Sequence, residues 1–157
     1  MKLVSNTSPL IFLSKLQALP LLHKCFEEIY IPQAVQHELG DLIVPKTIQL
    51  KAVSMAGQQF VLGAMGRLHA GELEAMALAQ ELQADYICLD DLPARRKAQR
   101  LGLSVIGTVG VLQLAYRSGH LPAQTFHRYL DNLTQTHGMY LSAKILLKLK
   151  QALQDAH

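Results

Sequence analysis

Short apolar runs at residues 2–5, 28–31, 86–89 and 104–106 are each followed directly by a helix-start signal. That repeated strand-then-helix order restricts the chain to a parallel sheet whose connections are helices covering both faces, with right-handed crossovers. After the first run, Ser8-Pro9 offers a capping hydroxyl and a Pro for the first helical turn. After the second, Pro32 opens a short helix that Gly40 closes in a position prone to positive φ. The third ends at Asp90-Asp91 before a basic helix over residues 92–101, and the fourth turns through Gly107-Thr108-Val109-Gly110 into a helix ending near Ser118-Gly119. A long helix is expected from Gly71 to about Gln83, and two more at residues 122–136 and 142–155. Residues 41–68 resist assignment, although residues 48–53 alternate as an edge strand does. Leu (29) and Ala (17) far outnumber the 16 Val plus Ile, so helices should provide most of the mass.

The longest stretches without charge, residues 52–66 and 101–116, are broken by Gly and Gln. They fall short of the roughly 20 apolar residues that span a bilayer, so no membrane association is expected. Asn6-Thr7-Ser8-Pro9 and Lys15 interrupt any apolar leader, which places the chain in the cytoplasm. Cys25 and Cys88, isolated in apolar surroundings, fit free and inert thiols in a reducing compartment.

The formal charge of +3 conceals a segregation: residues 1–91 hold six Lys/Arg against ten Asp/Glu, and residues 92–157 hold nine against two. Such a split either describes an unevenly charged solvated surface or sets an acidic, metal-holding site beside cations that neutralise a polyanion.

Ligands of parallel sheets bind at the carboxyl ends of the strands. The residues just beyond three of the expected strands are polar: Asn6-Thr7-Ser8, Asp90-Asp91 and Thr108. Two helical acids can join them. Glu72 shares the inward face of its helix with Ala75, Ala79 and Leu82, and Glu38 shares a face with Ala34 and Val35. An inward carboxylate is costly unless it is paired, hydrogen-bonded or bound to a cation. Glu74 and Glu81 share a different face and read as solvated.

Carboxylates without a Cys/His companion set suit Mg²⁺ or Mn²⁺, and the chemistry they imply is metal-assisted phosphoryl hydrolysis. The alternatives stay open residue by residue: Asp91 caps the following helix or adds a ligand, Glu38 makes a local hydrogen bond or binds metal, and Thr7 and Ser8 serve first as caps. Arg95, Arg96, Lys97 and Arg100 form a solvated helix face or hold a nucleic-acid backbone. No P-loop, dinucleotide fingerprint, nucleophile elbow or Cys-x-x-Cys is present. With no Trp and 6% aromatics, a base-stacking platform is not indicated. The last helix places Lys148 and Gln151 on a polar face and Ile145 and Leu149 among its apolar positions, which fits packing on the chain's own core.

Val4-Ser5-Asn6-Thr7-Ser8-Pro9-Leu10-Ile11, Val35-Gln36-His37-Glu38-Leu39, Gly71-Glu72-Leu73-Glu74-Ala75, Leu89-Asp90-Asp91 with Ala94-Arg95, and residues 105–112 stand in an order and spacing that resembles the PIN-domain family. That family includes the VapC-like toxins of toxin-antitoxin modules. The resemblance covers nearly the whole chain and implies one domain over residues 1–157, with a three-layer α/β/α fold around a small central parallel sheet. It further implies an acidic pocket for one or two Mg²⁺ or Mn²⁺ ions, RNA as substrate, a small antitoxin partner and a homodimer. Carried across, the second, third and fourth acidic positions fall on Glu38, Glu72 and Asp90. Asp91, Ser8 and Thr108 stand in support, and the metal ligands are Asn6, Glu72 and Asp90. The first position departs from the family, which has Asp where this chain has Asn6. An amide oxygen still coordinates a hard cation but brings no charge, so metal affinity and water activation should fall. A weak natural nuclease, a retired one that keeps a binding role, and a deliberate inactivating change all fit that substitution. The first expectation is a metal-dependent ribonuclease. Its rival is a catalytically silent module that binds RNA or protein, and a weaker third is a domain for a small phosphorylated ligand held at Gly107 to Gly110.

Overall fold

Five strands pair in parallel in the order β3-β2-β1-β4-β5, comprising β1 (Lys2–Ser5), β2 (Glu28–Ile31), β3 (Ile48–Leu50), β4 (Tyr86–Cys88) and β5 (Val105–Ile106). The computed structural model describes residues 1–139 and 143–155. The chain builds outward from β1 through α1 (Thr7–Lys15), α2 (Pro20–Cys25) and β2, then through α3 (Gln33–Leu39) to β3. It returns through α4 (Met55–Ala64) and α5 (Ala70–Leu82) to β4 on the other side of β1, and continues by α6 (Leu92–Arg100) to β5. The direction of growth therefore reverses between β1 and β4, and the crevice at such a switch is where open α/β sheets bind ligands.

Alternation along the strands divides the core into two layers. Leu3, Ile29, Ile31 and Cys88 pack with Leu10, Leu13 and Leu22 and with Val111, Leu112, Phe126 and Leu130 of α7 (Thr108–Arg117) and α8 (Ala123–Asp131). Val4, Tyr30, Ile87 and Leu89 pack on the opposite face against Leu73, Met76 and Leu78 of α5 and Ala94 and Ala98 of α6. Burying each large aliphatic side chain contributes about 1.5–3 kcal/mol, so both layers hold the sheet edge rigid. The three-layer α/β/α fold expected from the sequence is the one observed. Both cysteines are free, and burial pushes each thiol up, as expected of inert groups.

Two helices lie where the sequence reading assigned none. Pro20 starts α2, and Ser54 caps α4 by accepting a hydrogen bond from the Gly57 N–H at 3.1 Å. The edge strand is shorter than residues 48–53, and the helix expected over residues 122–136 ends as a π-helical turn at Asn132–Thr136. Gly40 closes α3 with φ +58°, a conformation that side chains rarely adopt. In α9 (Ala143–Asp155), Leu149 packs on the core while Ile145 is half exposed. Its expected start at Ser142 lies outside the described residues. No helix among the described residues is long and apolar enough to cross a membrane.

Candidate active site

Asn6 follows β1 directly, and its N–H donates to the Cys88 carbonyl at 3.1 Å, extending the pairing of Ser5 with Cys88 by one step. Asn6 is thereby level with Leu89, and Asp90 stands two residues beyond the end of β4. Asn6 is 5% exposed and its Oδ1 is buried without a hydrogen-bond partner. Thr7 begins α1 rather than capping it, since the helix has no side-chain cap. Its hydroxyl instead donates to Glu38 Oε2 at 2.5 Å, tying α1 to α3.

Glu72 stands in the first turn of α5 and is 6% exposed. Its Oε1 accepts the His69 N–H at 3.2 Å, while its Oε2 is buried and unpartnered. Burial raises its pKa, the nearby charges of Asp91 and Glu38 add to that rise, and the His69 bond opposes it. A buried oxygen lacking a donor is destabilising by about 1–3 kcal/mol, and here two share one wall. Asn6, Glu72 and Glu38 line a cavity of about 410 Å³ with Thr7, Ser8 and His69.

Asp90 lines the adjoining cavity, about 740 Å³, together with Asp91 and Arg95, and Ser8 borders both. Its Oδ1 accepts the Thr108 N–H and its Oδ2 the Thr108 hydroxyl, each at 2.7 Å. Burial raises the Asp90 pKa against those two bonds and the Arg95 charge. Asp91 is exposed and caps α6 through the Ala94 N–H at 3.4 Å, the local role that the sequence left open.

The basic helix is divided. Arg95 turns inward, donating to the Leu89 carbonyl at 3.1 Å, and a Cβ on Gly107 would meet its guanidinium at 2.5 Å, so any other residue there would displace that side chain. Arg96, Lys97 and Arg100 face a different cleft. Glu74 and Glu81 are not simply solvated as expected: Glu74 accepts the Ala34 N–H at the start of α3, and Glu81 accepts from Ser54 ahead of α4. The sequence reading overlooked His69, whose place three residues before Glu72 is a capping-box spacing, and Arg67.

Among the described residues, no three His, Cys, Asp or Glu side chains form a ready ligand group. The two orphaned oxygens nevertheless fit a hard cation, because they are oxygen donors already stripped of water, on residues that line one cavity.

The fold and this acidic crevice define a PIN domain. The DUF3368 family model, described as a PIN domain, matches residues 2–155, and the chain belongs to that family. The solved structure of a PilT N-terminus domain protein, SSO1118 from the hyperthermophilic archaeon Sulfolobus solfataricus P2, is similar over 75% of this chain and 93% of its own. It shares 21% identity at a TM-score of 0.53. No curated protein matches the chain. PIN domains are generally nucleases and typically use divalent metal ions.

Proposed function

We propose that the chain is a metal-dependent ribonuclease of PIN type, acting as the toxin of a toxin-antitoxin pair. The observation that carries this reading is the pair of buried, unpartnered oxygens, Asn6 Oδ1 and Glu72 Oε2, at the strand-order reversal of the sheet. Asn6 and Glu72 would hold Mg²⁺ or Mn²⁺, with Asp90 approaching from across Ser8 and Glu38 orienting through Thr7. A bound cation supplies a water acidified near neutral pH and neutralises the phosphate oxygens. Thr108 fixes the Asp90 carboxylate, the Arg95 charge favours its ionised form, and Asp91 sets the start of α6. Cations on α6 would meet the RNA backbone. A small antitoxin and a second copy of the chain are the partners that the family resemblance implies.

Asn6 favours a second reading, a silent RNA- or protein-binding module, because the amide adds no charge to the cation site. The deciding experiment is RNA cleavage with Mn²⁺ or Mg²⁺ by this chain and its Asn6→Asp variant, with Asp90→Ala as control. Products that disappear on chelation and in Asp90→Ala support the nuclease. Silence of both the chain and Asn6→Asp supports the binding module.

A further inference from the structure

Away from the carboxylates, a cleft of about 350 Å³ is walled by Arg67 from the connection between α4 and α5 and by Arg96, Lys97 and Arg100 of α6, over a floor that includes Leu68 and Pro93. No acidic residue lines it, and the only ion pair among the described residues, Lys150 with Asp131, lies elsewhere. Arg96 and Arg100 are four residues apart and Lys97 and Arg100 three, so like charges stack on one helix face, an arrangement that costs stability. Lys97 is further held 5.8 Å from the Phe60 ring centroid. Four cations lining one concavity leave a positive potential that attracts a polyanion.

The cleft and the acidic site share no lining residue but are lined by neighbours in the chain. Leu68 belongs to the cleft and its neighbour His69 to the Asn6–Glu72 cavity, while Pro93 belongs to the cleft and its neighbour Leu92 to the Asp90 cavity. Adjacent Cα atoms are about 3.8 Å apart, so the cleft begins close to the acidic site, within reach of a polyanion held at the carboxylates.

We propose that Arg67, Arg96, Lys97 and Arg100 form a phosphate clamp for the RNA backbone flanking the bond at the acidic site, with Arg95 outside it as a support for Asp90. This rests on the ribonuclease reading and adds Arg67 and a direction for the strand. The mixture of apolar floor and cationic rim suits a sugar-phosphate backbone, whose phosphates position a strand without specifying its sequence.

The test is equilibrium binding of a single-stranded RNA oligonucleotide with metal chelated, across a salt series, so that cleavage plays no part. Replacing all four cations by Gln should weaken binding about tenfold or more and flatten the slope of log affinity against log salt by about two to three, at about 0.7 per phosphate contact. Arg96→Gln and Arg100→Gln alone, at exposed positions, should each weaken binding severalfold, which guards against misfolding of the quadruple variant. Lys24→Gln on α2 serves as the control. Unchanged affinity and slope in the cleft variants overturn the proposal, as does binding of poly-glutamate in preference to RNA, which would assign the cleft to an acidic protein. Failure of the nuclease reading shows separately, as absence of Mn²⁺-dependent products.

Discussion

Thr108 engages Asp90 twice, through its N–H to Oδ1 and its hydroxyl to Oδ2, both at 2.7 Å, so the first residue of α7 fixes the carboxylate beyond β4 in both position and rotation. Thr108 is fully buried, and no water can replace its hydroxyl without rearrangement. Thr108→Val keeps the shape and the backbone bond but loses the hydroxyl. Cleavage by the Asn6→Asp protein should fall about tenfold, the range seen when a group supporting a metal ligand is removed, and Thr108→Ser should recover most of it. Equal rates for Val and Thr would remove Thr108 from the site.

Asn6→Asp places a third carboxylate in the cavity already lined by Glu38 and Glu72. Without metal, the variant should melt lower than the parent chain, because like charges are buried together. With Mn²⁺ the order should invert, and the affinity read from the ligand-dependent shift in Tm should rise at least about tenfold. Unchanged Mn²⁺ affinity would mean that residue 6 is not a ligand.

Much of this arrangement was legible in the chain. The positions of Asn6, Glu72 and Asp90 follow from strand ends and from the inward face of one helix, signals that depend on local periodicity. The helix α4 was not, although Ser54 is a start signal, because Pro45 and the glycines of residues 41–68 masked the pattern, and α2, opened by Pro20, has only 6 residues, too few for a helical period to show. The partners of Thr7, Glu74 and Arg95 were equally hidden. Thr7 bonds to Glu38 thirty-one residues away and Glu74 to Ala34 forty away, and side-chain bonds at such separation leave no mark in sequence spacing. Arg95 reads as one of four cations on an exposed face until the sheet end is in place and turns it towards Leu89 and Asp90.

Glu72 should make the metal-free protein less stable at neutral pH than a neutral residue would. Its folded pKa is raised, chiefly by burial, so the folded state binds the proton more tightly than the unfolded chain does. Stability contributed by this group therefore increases as pH falls through the raised value and is lost as pH rises above it. Glu72→Gln, whose amide oxygen can still accept the His69 N–H, should raise Tm at pH 7 to 8, by about 2–4 °C for each kcal/mol relieved, and the gain should vanish in acid. A pH-independent difference in Tm between the two proteins would contradict the burial account.

Gly71 separates stability from the acidic site. It lies in the first turn of α5, where Ala is the better helix former by roughly 0.5–1 kcal/mol. A Cβ there would stand 2.5 Å from Glu38 Oε1 and 2.8 Å from Oε2, and the atoms that must yield are the end of a flexible, exposed side chain. Gly71→Ala should therefore leave Tm equal or slightly raised while driving the Glu38 carboxylate off Thr7 and out of the Asn6–Glu72 cavity. In the Asn6→Asp background, cleavage should drop about tenfold with Mn²⁺ affinity also reduced, as for loss of a group orienting the ligands. A variant that loses Tm sharply would show that the backbone, and not Glu38, absorbs the added methyl group. Full activity with unchanged Tm would remove Glu38 from the working site and leave its bond to Thr7 as a tie between α1 and α3.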